Sequence, residues 1–269
     1  MKDKIQISVL TLLALSVLYL VFFAGGYGSR IDSLIEKNVE AKGGEAAWRQ
    51  VSSLQLSGQM SLGQGVVAPY KIDQKRPLKM CTEYEFNKRR VVQCVDGDSG
   101  WQFLPYLGRN LPEPLKKEDA LAIADTASID GMLLNAHERG FKIEWLGKED
   151  VDGRPADKLK VEMPGGTVRW IYLDEETGLD VKLEYTIMIR GKEQLVETTY
   201  SDWKAEAGLL FPGRTNTRLK GTSESSFVTI DKIVVNPAIE DKRFVMPLFT
   251  RPDASKISGN KPGDTPDNT

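Results

Sequence analysis

From Leu54 to Val235 the chain mostly alternates apolar and polar residues, the pattern of strands that bury one face. The alternation breaks once, over Leu111–Gly140. There Leu115, Ala122 and Ile123, then Ile129, Met132, Leu133 and Ala136, recur at helical spacing. Pro112 and Pro114 mark the start, Gly131 separates two predicted helices and Gly140 ends the second. Glu118 and Asp119 open the first, where a helix N-terminus favours negative charge. A long sheet interrupted by one pair of short helices predicts one-sided packing, with the helices over an apolar face.

Upstream, Ser29 is placed to cap a helix whose buried stripe is Ile31, Leu34, Ile35, Asn38 and Val39, and Gly43-Gly44 stops it. A short turn, EAAWRQV, leads to the strand LQLSGQMSL. Leu54, Leu56, Met60 and Leu62 share one face with Gly58, which suits a bend. Pro69 in the next strand points to an edge or bulge.

The segment CTEYEFNKRRVVQC reads as a hairpin turning at Asn87-Lys88. Phe86 then opposes Arg89, Glu85 opposes Arg90, Tyr84 opposes Val91 and Cys81 opposes Cys94. Directly opposed residues lie about 4.5–5.5 Å apart at Cα, within disulfide range, so Cys81 and Cys94 are predicted to be bonded. WQFLPY then sets Trp101 and Phe103 on one face of a further strand.

Beyond Gly140 the chain reads as a meander from FKIEWLG to SFVTIDKIVVN, with turns at EDVDGRP, PGG, DEETG, RGK and EAG. Val181, Leu183, Tyr185, Ile187 and Ile189 share a face, and Lys142, Lys158, Lys160, Lys182 and Glu184 mark a wet outer side. The count is about 11–12 strands, too many for a flat sheet without curling. The predicted class is therefore mainly β with a few helices (α+β): a strongly curved antiparallel half-barrel whose short helices cover the concave face.

Composition narrows function mainly by exclusion. In 269 residues the net charge is −2, and nucleic-acid binders are normally basic, so no nucleic acid is expected as a partner. The one histidine, His137, sits beside Glu138 and Arg139 without a visible catalytic partner. No phosphate loop, GxSxG elbow, HExxH or cysteine-rich metal pattern occurs, so neither cofactor nor metal nor enzymatic activity is expected. The acidic run Asp174-Glu175-Glu176 reads as a solvated hairpin turn too short to wrap a calcium ion, and Glu83 and Glu85 lie on the outer face.

Lys2 and Lys4 precede an uncharged apolar run over residues 5–24, the pattern of an export address. At about twenty residues it suits either a cleaved signal or an anchor in the inner membrane. Both place the rest of the chain in the periplasm. The predicted organisation is a signal or anchor over 1–28, a folded domain over 29–250 and a disordered polar tail over 251–269.

Several stretches resemble the periplasmic outer-membrane lipoprotein-sorting proteins of LolA/LolB type. They are KGGEAAW followed by SLQLSG, VDGDSGW, GKEDVDGRPADKLKV, YLDEETGL, TTYSDWK with GLLFPGR, and VVNPAIEDKRFVMP. The resemblance implies a curved half-barrel that carries lipid acyl chains or lipoproteins without catalysis or cofactor. The alternative is an envelope sensor or transporter-accessory module that binds a protein partner and fills its own cavity. Alternation and helical spacing suggest Trp101, Phe103, Ile129, Met132, Leu133, Phe141, Trp145, Leu183, Tyr185 and Ile187 as apolar lining. Met132 and Leu133, beside the helix-weakening Gly131, are the expected lid contacts.

Overall fold

The structure, a computed structural model, describes residues 28, 30–63, 65–189 and 191–248. The apolar run over 5–24, the capping Ser29 and the tail over 251–269 lie outside the described residues. Helix α1 covers residues 30–41 and α2 spans Glu45–Arg49. Strands β1 (Ser53–Ser61), β2 (Val67–Lys75), β3 (Lys79–Phe86), β4 (Arg89–Asp96), β5 (Ser99–Phe103) and the short β6 (Glu113–Pro114) follow. After α3 (Lys117–Ala127) come β7 (Lys142–Val151), β8 (Arg154–Glu162), β9 (Val168–Asp174), β10 (Asp180–Ile189) and β11 (Lys192–Ser201). A small hairpin, β12 (Lys204–Glu206) and β13 (Leu209–Phe211), precedes β14 (Arg214–Leu219) and β15 (Ser225–Val235).

Thirteen strands form one open antiparallel sheet in the order β6-β5-β4-β3-β2-β1-β15-β14-β11-β10-β9-β8-β7, with β12 and β13 apart from it. The strand beyond the sequence count is the two-residue β6, which falls inside the stretch expected to be helical. LLFPGRTNTRL is also two strands, not one, and only the second of them joins this sheet. Pro212-Gly213 divides the two: a Cβ on Gly213 would lie 2.1 Å from the Asp202 carbonyl oxygen. The β12–β13 hairpin consequently leaves the sheet and packs Leu209 and Phe211 against Val39, Trp48 and Leu54 on the inner face.

Edge strands β6 and β7 are consecutive in sequence but lie at opposite ends of the sheet. The chain between them must therefore cross the whole inner face. Its first part is the expected helix, α3, with Glu118 and Asp119 in its opening turn and Leu115, Ala120, Ile123 and Ala127 packed on Met80 and Val95. The second predicted helix does not form. Residues 129–140 are successive turns, because Gly131, Asn135 and Gly140 all adopt positive φ (61°, 54° and 74°). The apolar spacing survives without a helix: Leu133 and Ala136 still bury against Phe141, Leu159 and Val161.

Helix α1 ends as expected, with Gly43 at φ 113° and the Gly44 amide donating to the Val39 carbonyl at 2.9 Å. Gly43 is also sterically fixed, since a Cβ there would meet the Gly208 carbonyl oxygen at 2.4 Å. The β3–β4 register is the expected one throughout, and Cys81 and Cys94 form a disulfide. Asn87 and Lys88 both take the positive φ that the two-residue turn requires. One pairing differs: Arg90 faces Glu85 across the ladder but bonds bidentately to Glu83 at 2.5 and 2.7 Å. Pro69 pairs with Gln59 of β1 but lies beyond the β2–β3 ladder, so its missing N–H leaves no ladder bond unmade there.

Register shifts interrupt the ladders at Ser57/Gly58, Trp145/Gly147 and Asp180/Lys182. Such bulges bend and twist a sheet. The first needs glycine, because a Cβ on Gly58 would lie 1.8 Å from the Thr229 carbonyl oxygen of β15. The third exchanges faces: Val181 packs with Tyr172 on the outer side, against strict alternation, while Asp180 turns inward.

The outer face is not simply wet. At one end the segment 236–244 straps across it, with Phe244 over the disulfide, Trp101 donating to the Phe244 carbonyl at 2.8 Å, and Arg243 bonded to Asp73 (2.8 Å) and Glu83 (3.0 Å). At the other end Tyr172, fully buried, sits between the ammonium groups of Lys158 and Lys182 and donates to Glu184 at 2.8 Å. Lys182 and Lys220 reach the same carboxylate at 3.1 and 3.2 Å. Burial opposes ionisation of Glu184, but the Tyr172 hydroxyl and the two lysines outweigh it and hold the carboxyl at about 2. The acidic turn is likewise structural, since Asp174 is buried and its carboxylate accepts from the Glu176 and Thr177 amides.

Two outcomes are expected. Gly58→Ala should destabilise the fold by about 2 kcal/mol or more, since backbone rather than a movable side chain must yield, and urea denaturation measures it. Glu184, whose folded carboxyl lies below its ordinary value, adds stability that is present above about pH 4.5 and lost as pH falls toward 2. The stability difference between wild type and Glu184→Gln, about 3 kcal/mol at pH 7, should therefore shrink progressively in denaturation series run from pH 5 to pH 2.

Candidate functional site

A cavity of about 300 Å³ lies on the inner face beneath the crossing segment. Its floor is Ile171 of β9, Leu183 of β10 and Tyr200 of β11. Val39 of α1, Lys42 just beyond its end and Trp48 of α2 form one wall, and Trp203 with Leu210 and Phe211 of β13 and the following Pro212 forms another. The roof runs from Thr126 through Ser128–Met132 to Leu134. This volume is at the low end for small-molecule pockets, and the apolar lining with a few polar groups is their usual character.

Each wall is held by identifiable contacts. Helix α1 is fixed on the sheet at its start by Arg30, which stacks over Trp145 at 4.0 Å and pairs with the buried Asp157 at 2.9 Å. Trp145 Nε1 donates to the same carboxylate at 2.8 Å. At its end Asn38, fully buried, donates to the Gly178 carbonyl at 2.8 Å and to Asp180 at 3.2 Å. Trp48 packs edge-on against Phe211, ring centroids 5.2 Å apart, and its Nε1 donates to the Lys42 carbonyl at 3.0 Å.

The roof is pinned by arginines. Arg76, at the end of β2, grips Asp130 with two bonds of 2.6 Å and also donates to the Val51 and Trp48 carbonyls at 2.6 and 3.1 Å. That one guanidinium joins the roof to the α2–β1 junction. Arg139 works from within the roof, donating to the Gly131 carbonyl at 2.7 Å and to Ser128 Oγ at 3.3 Å while stacking over Phe141. Burial pulls its pKa below the ordinary arginine value. Arg49 adds a bond to Asn135 at 2.8 Å. These bonds hold the turns over 129–140 in place of a helix's own ladder.

The floor has a polar corner where α1 meets β10 and β11. Lys42 pairs with Asp180 at 3.0 Å, both part-buried. Tyr200 lies beside them, and burial, reinforced by Asp180 and Tyr185, pushes its phenol above the ordinary value. His137, by contrast, is exposed and 3.2 Å from Asp32 at the surface. Among the described residues no group of three or more His, Cys, Asp or Glu is placed to hold a metal ion, and no helix is long and apolar enough to cross a membrane.

Of the residues suggested by sequence, Ile129, Met132 and Leu183 line this cavity. Leu133 and Phe141 lie beside it in solid core with Leu159, Val161 and Leu173. Trp145 and Tyr185 share the inner face but meet Arg30 and Arg169 instead, and Ile187 is exposed near the β10–β11 turn. Trp101 and Phe103 are on the opposite, outer face: Trp101 pairs with Cys94, so it must share the disulfide's side, under Phe244. Trp48, Lys42, Asp180, Tyr200 and Trp203 were missed. The bulge at 180–182 and the departure of β12–β13 from the sheet leave no periodic signal.

No protein-family model matches the chain, and no curated protein matches its sequence. Solved structures do match in shape. A LolA superfamily protein from Nitrosomonas europaea, 14% identical, aligns over 80% of this chain and 96% of its own with a TM-score of 0.54. An outer membrane lipoprotein-sorting protein domain from Vibrio parahaemolyticus, also 14% identical, aligns over 78% and 97% with a TM-score of 0.51. A DUF1329 family protein from Desulfovibrio piger, 12% identical, aligns over 80% and 97% with a TM-score of 0.54. The chain has the LolA-like fold: an open, curved antiparallel sheet with its helices on one side.

Proposed function

We propose that this chain is a non-enzymatic protein of the bacterial envelope that shelters a lipid acyl chain, free or attached to a lipoprotein, in the cavity beneath its crossing segment. The observation that carries the reading is the cavity itself, an apolar space of about 300 Å³ between the floor residues Ile171 and Leu183 and the roof residues Ile129 and Met132. Each buried CH₂ gains roughly 0.8 kcal/mol, so even part of an acyl chain gives useful affinity. The export-like N-terminus supports a periplasmic location, with residues 5–24 serving as signal or as inner-membrane anchor. Two of the proteins it matches in shape, a LolA superfamily protein and an outer membrane lipoprotein-sorting protein domain, fit the same role. Ile129, Met132 and Leu183 are the proposed chain contacts.

Native mass spectrometry of the delipidated protein, re-exposed to a bacterial membrane extract, tests this. The expected result is an added mass released as an acyl lipid on activation. Met132→Trp, which fills the cavity from its rim, should reduce that adduct about tenfold with little change in melting temperature. Absence of any adduct, together with failure to bind a fluorescent apolar probe, would leave the protein-binding envelope module as the better reading.

A further inference from the structure

The polar groups around the cavity fall into two sets. On the roof and the α2 wall they are satisfied by the protein. Thr126 Oγ1 donates to the Ile123 carbonyl at 2.7 Å, Arg76 holds Asp130, Arg139 holds Ser128, and Trp48 bonds to Lys42. On the β10–β11 side they are not. Among the described residues the Tyr200 hydroxyl, the Trp203 indole N–H and Asp180 Oδ1 make no hydrogen bond, and none of the three atoms is sealed from solvent. Lys42 gives one bond to Asp180 Oδ2 and retains further protons. Polar atoms left without a protein partner thus gather on one side of the cavity, and that side offers donors beside an acceptor.

The charge on this side is already balanced, because Lys42 and Asp180 are 3.0 Å apart. A carboxylate seated there would face Asp180 as a like charge, and a cation would compete with Lys42. An uncharged group leaves that balance undisturbed: an ester or hydroxyl oxygen accepts from Tyr200 or Trp203, and a hydroxyl can in addition donate to Asp180. Space for about ten water-sized groups accommodates a chain of about ten carbons. We infer that the cavity binds a single acyl chain by its uncharged ester or hydroxyl end, seated against Tyr200, Trp203 and Asp180 with the chain running toward Met132 and Leu134. This rests on the acyl-binding reading above and adds orientation and headgroup class to it.

Calorimetric titration of the delipidated protein at pH 8 with three probes tests the inference: 1-decanoylglycerol, decanoate and a short peptide carrying an O-decanoyl serine. The two esters should bind about tenfold tighter than decanoate. Tyr200→Phe, which removes the hydroxyl and keeps the ring, should weaken the esters about three- to tenfold and leave decanoate unchanged. Trp203→Phe is the second variant, should the first fail to fold, with the same selective loss expected. Tighter binding of the glyceride identifies a free lipid as the source, and tighter binding of the peptide a lipid-modified chain. Decanoate binding as tightly as the esters, or indifference to both substitutions, overturns the headgroup assignment while leaving acyl binding intact. No binding of any probe removes the acyl-binding reading itself.

Discussion

The structure depends on a topological constraint: two strands consecutive in sequence, β6 and β7, are the two edges of a thirteen-stranded sheet. In an antiparallel meander neighbours usually pair, and a hairpin suffices. Here the chain must travel the full width of the sheet, and its apolar residues keep it on the inner side. The crossing is made by α3 over Met80 and Val95 and by the turns of 129–140 over Leu159 and Ile171. The cavity described above lies beneath it.

A crossing segment with little regular structure needs anchors, and they are charged. Turns at Gly131, Asn135 and Gly140 leave carbonyls that a helix would have satisfied itself. Arg139 takes up two of them, and Arg76 ties Asp130 to the ends of α2 and β1. Bidentate arginine suits this because its planar fork fixes direction as well as distance. The outer face uses the same chemistry differently. There Arg243 and the strap cover the disulfide, and Glu184 gathers Tyr172, Lys182 and Lys220, so both ends of the sheet have buried polar fastening behind the inner-face core.

Sequence patterns carried the fold further than the site. The β3–β4 register followed from Asn87-Lys88 and the opposed cysteines, because a two-residue turn leaves one pairing. The stop of α1 followed from Gly43-Gly44, whose conformation few other residues adopt. Period-two reading failed where the period itself fails. At 180–182 a bulge exchanged Val181 for Asp180, and at Pro212-Gly213 a predicted strand split and lifted a hairpin over the floor. The polar corner takes Asp180 from the first of these irregularities and joins it to Lys42 after α1 and Tyr200 of β11, residues far apart in sequence, so no local alternation reveals it. The second predicted helix was a different error: its apolar spacing was right for burial, but three positive-φ positions in ten residues exclude a helix. Trp101 illustrates a third, since its face was fixed by pairing with Cys94 and not by the apolar character it shares with the inner residues.

The arginine staples also explain why the cavity persists. An apolar void of about 300 Å³ fully enclosed in a rigid protein would cost on the order of 7 kcal/mol, enough to drive collapse of any segment free to move inward. The roof is not free. Closing it onto Leu183 would pull Asp130 away from Arg76 and leave a part-buried charge unpaired, a penalty that opposes the apolar gain. Nor is the space sealed, because Met132, Lys42 and Asp180 at its margin are only part-buried. The same polar fastening that substitutes for a helix therefore holds the apolar walls apart.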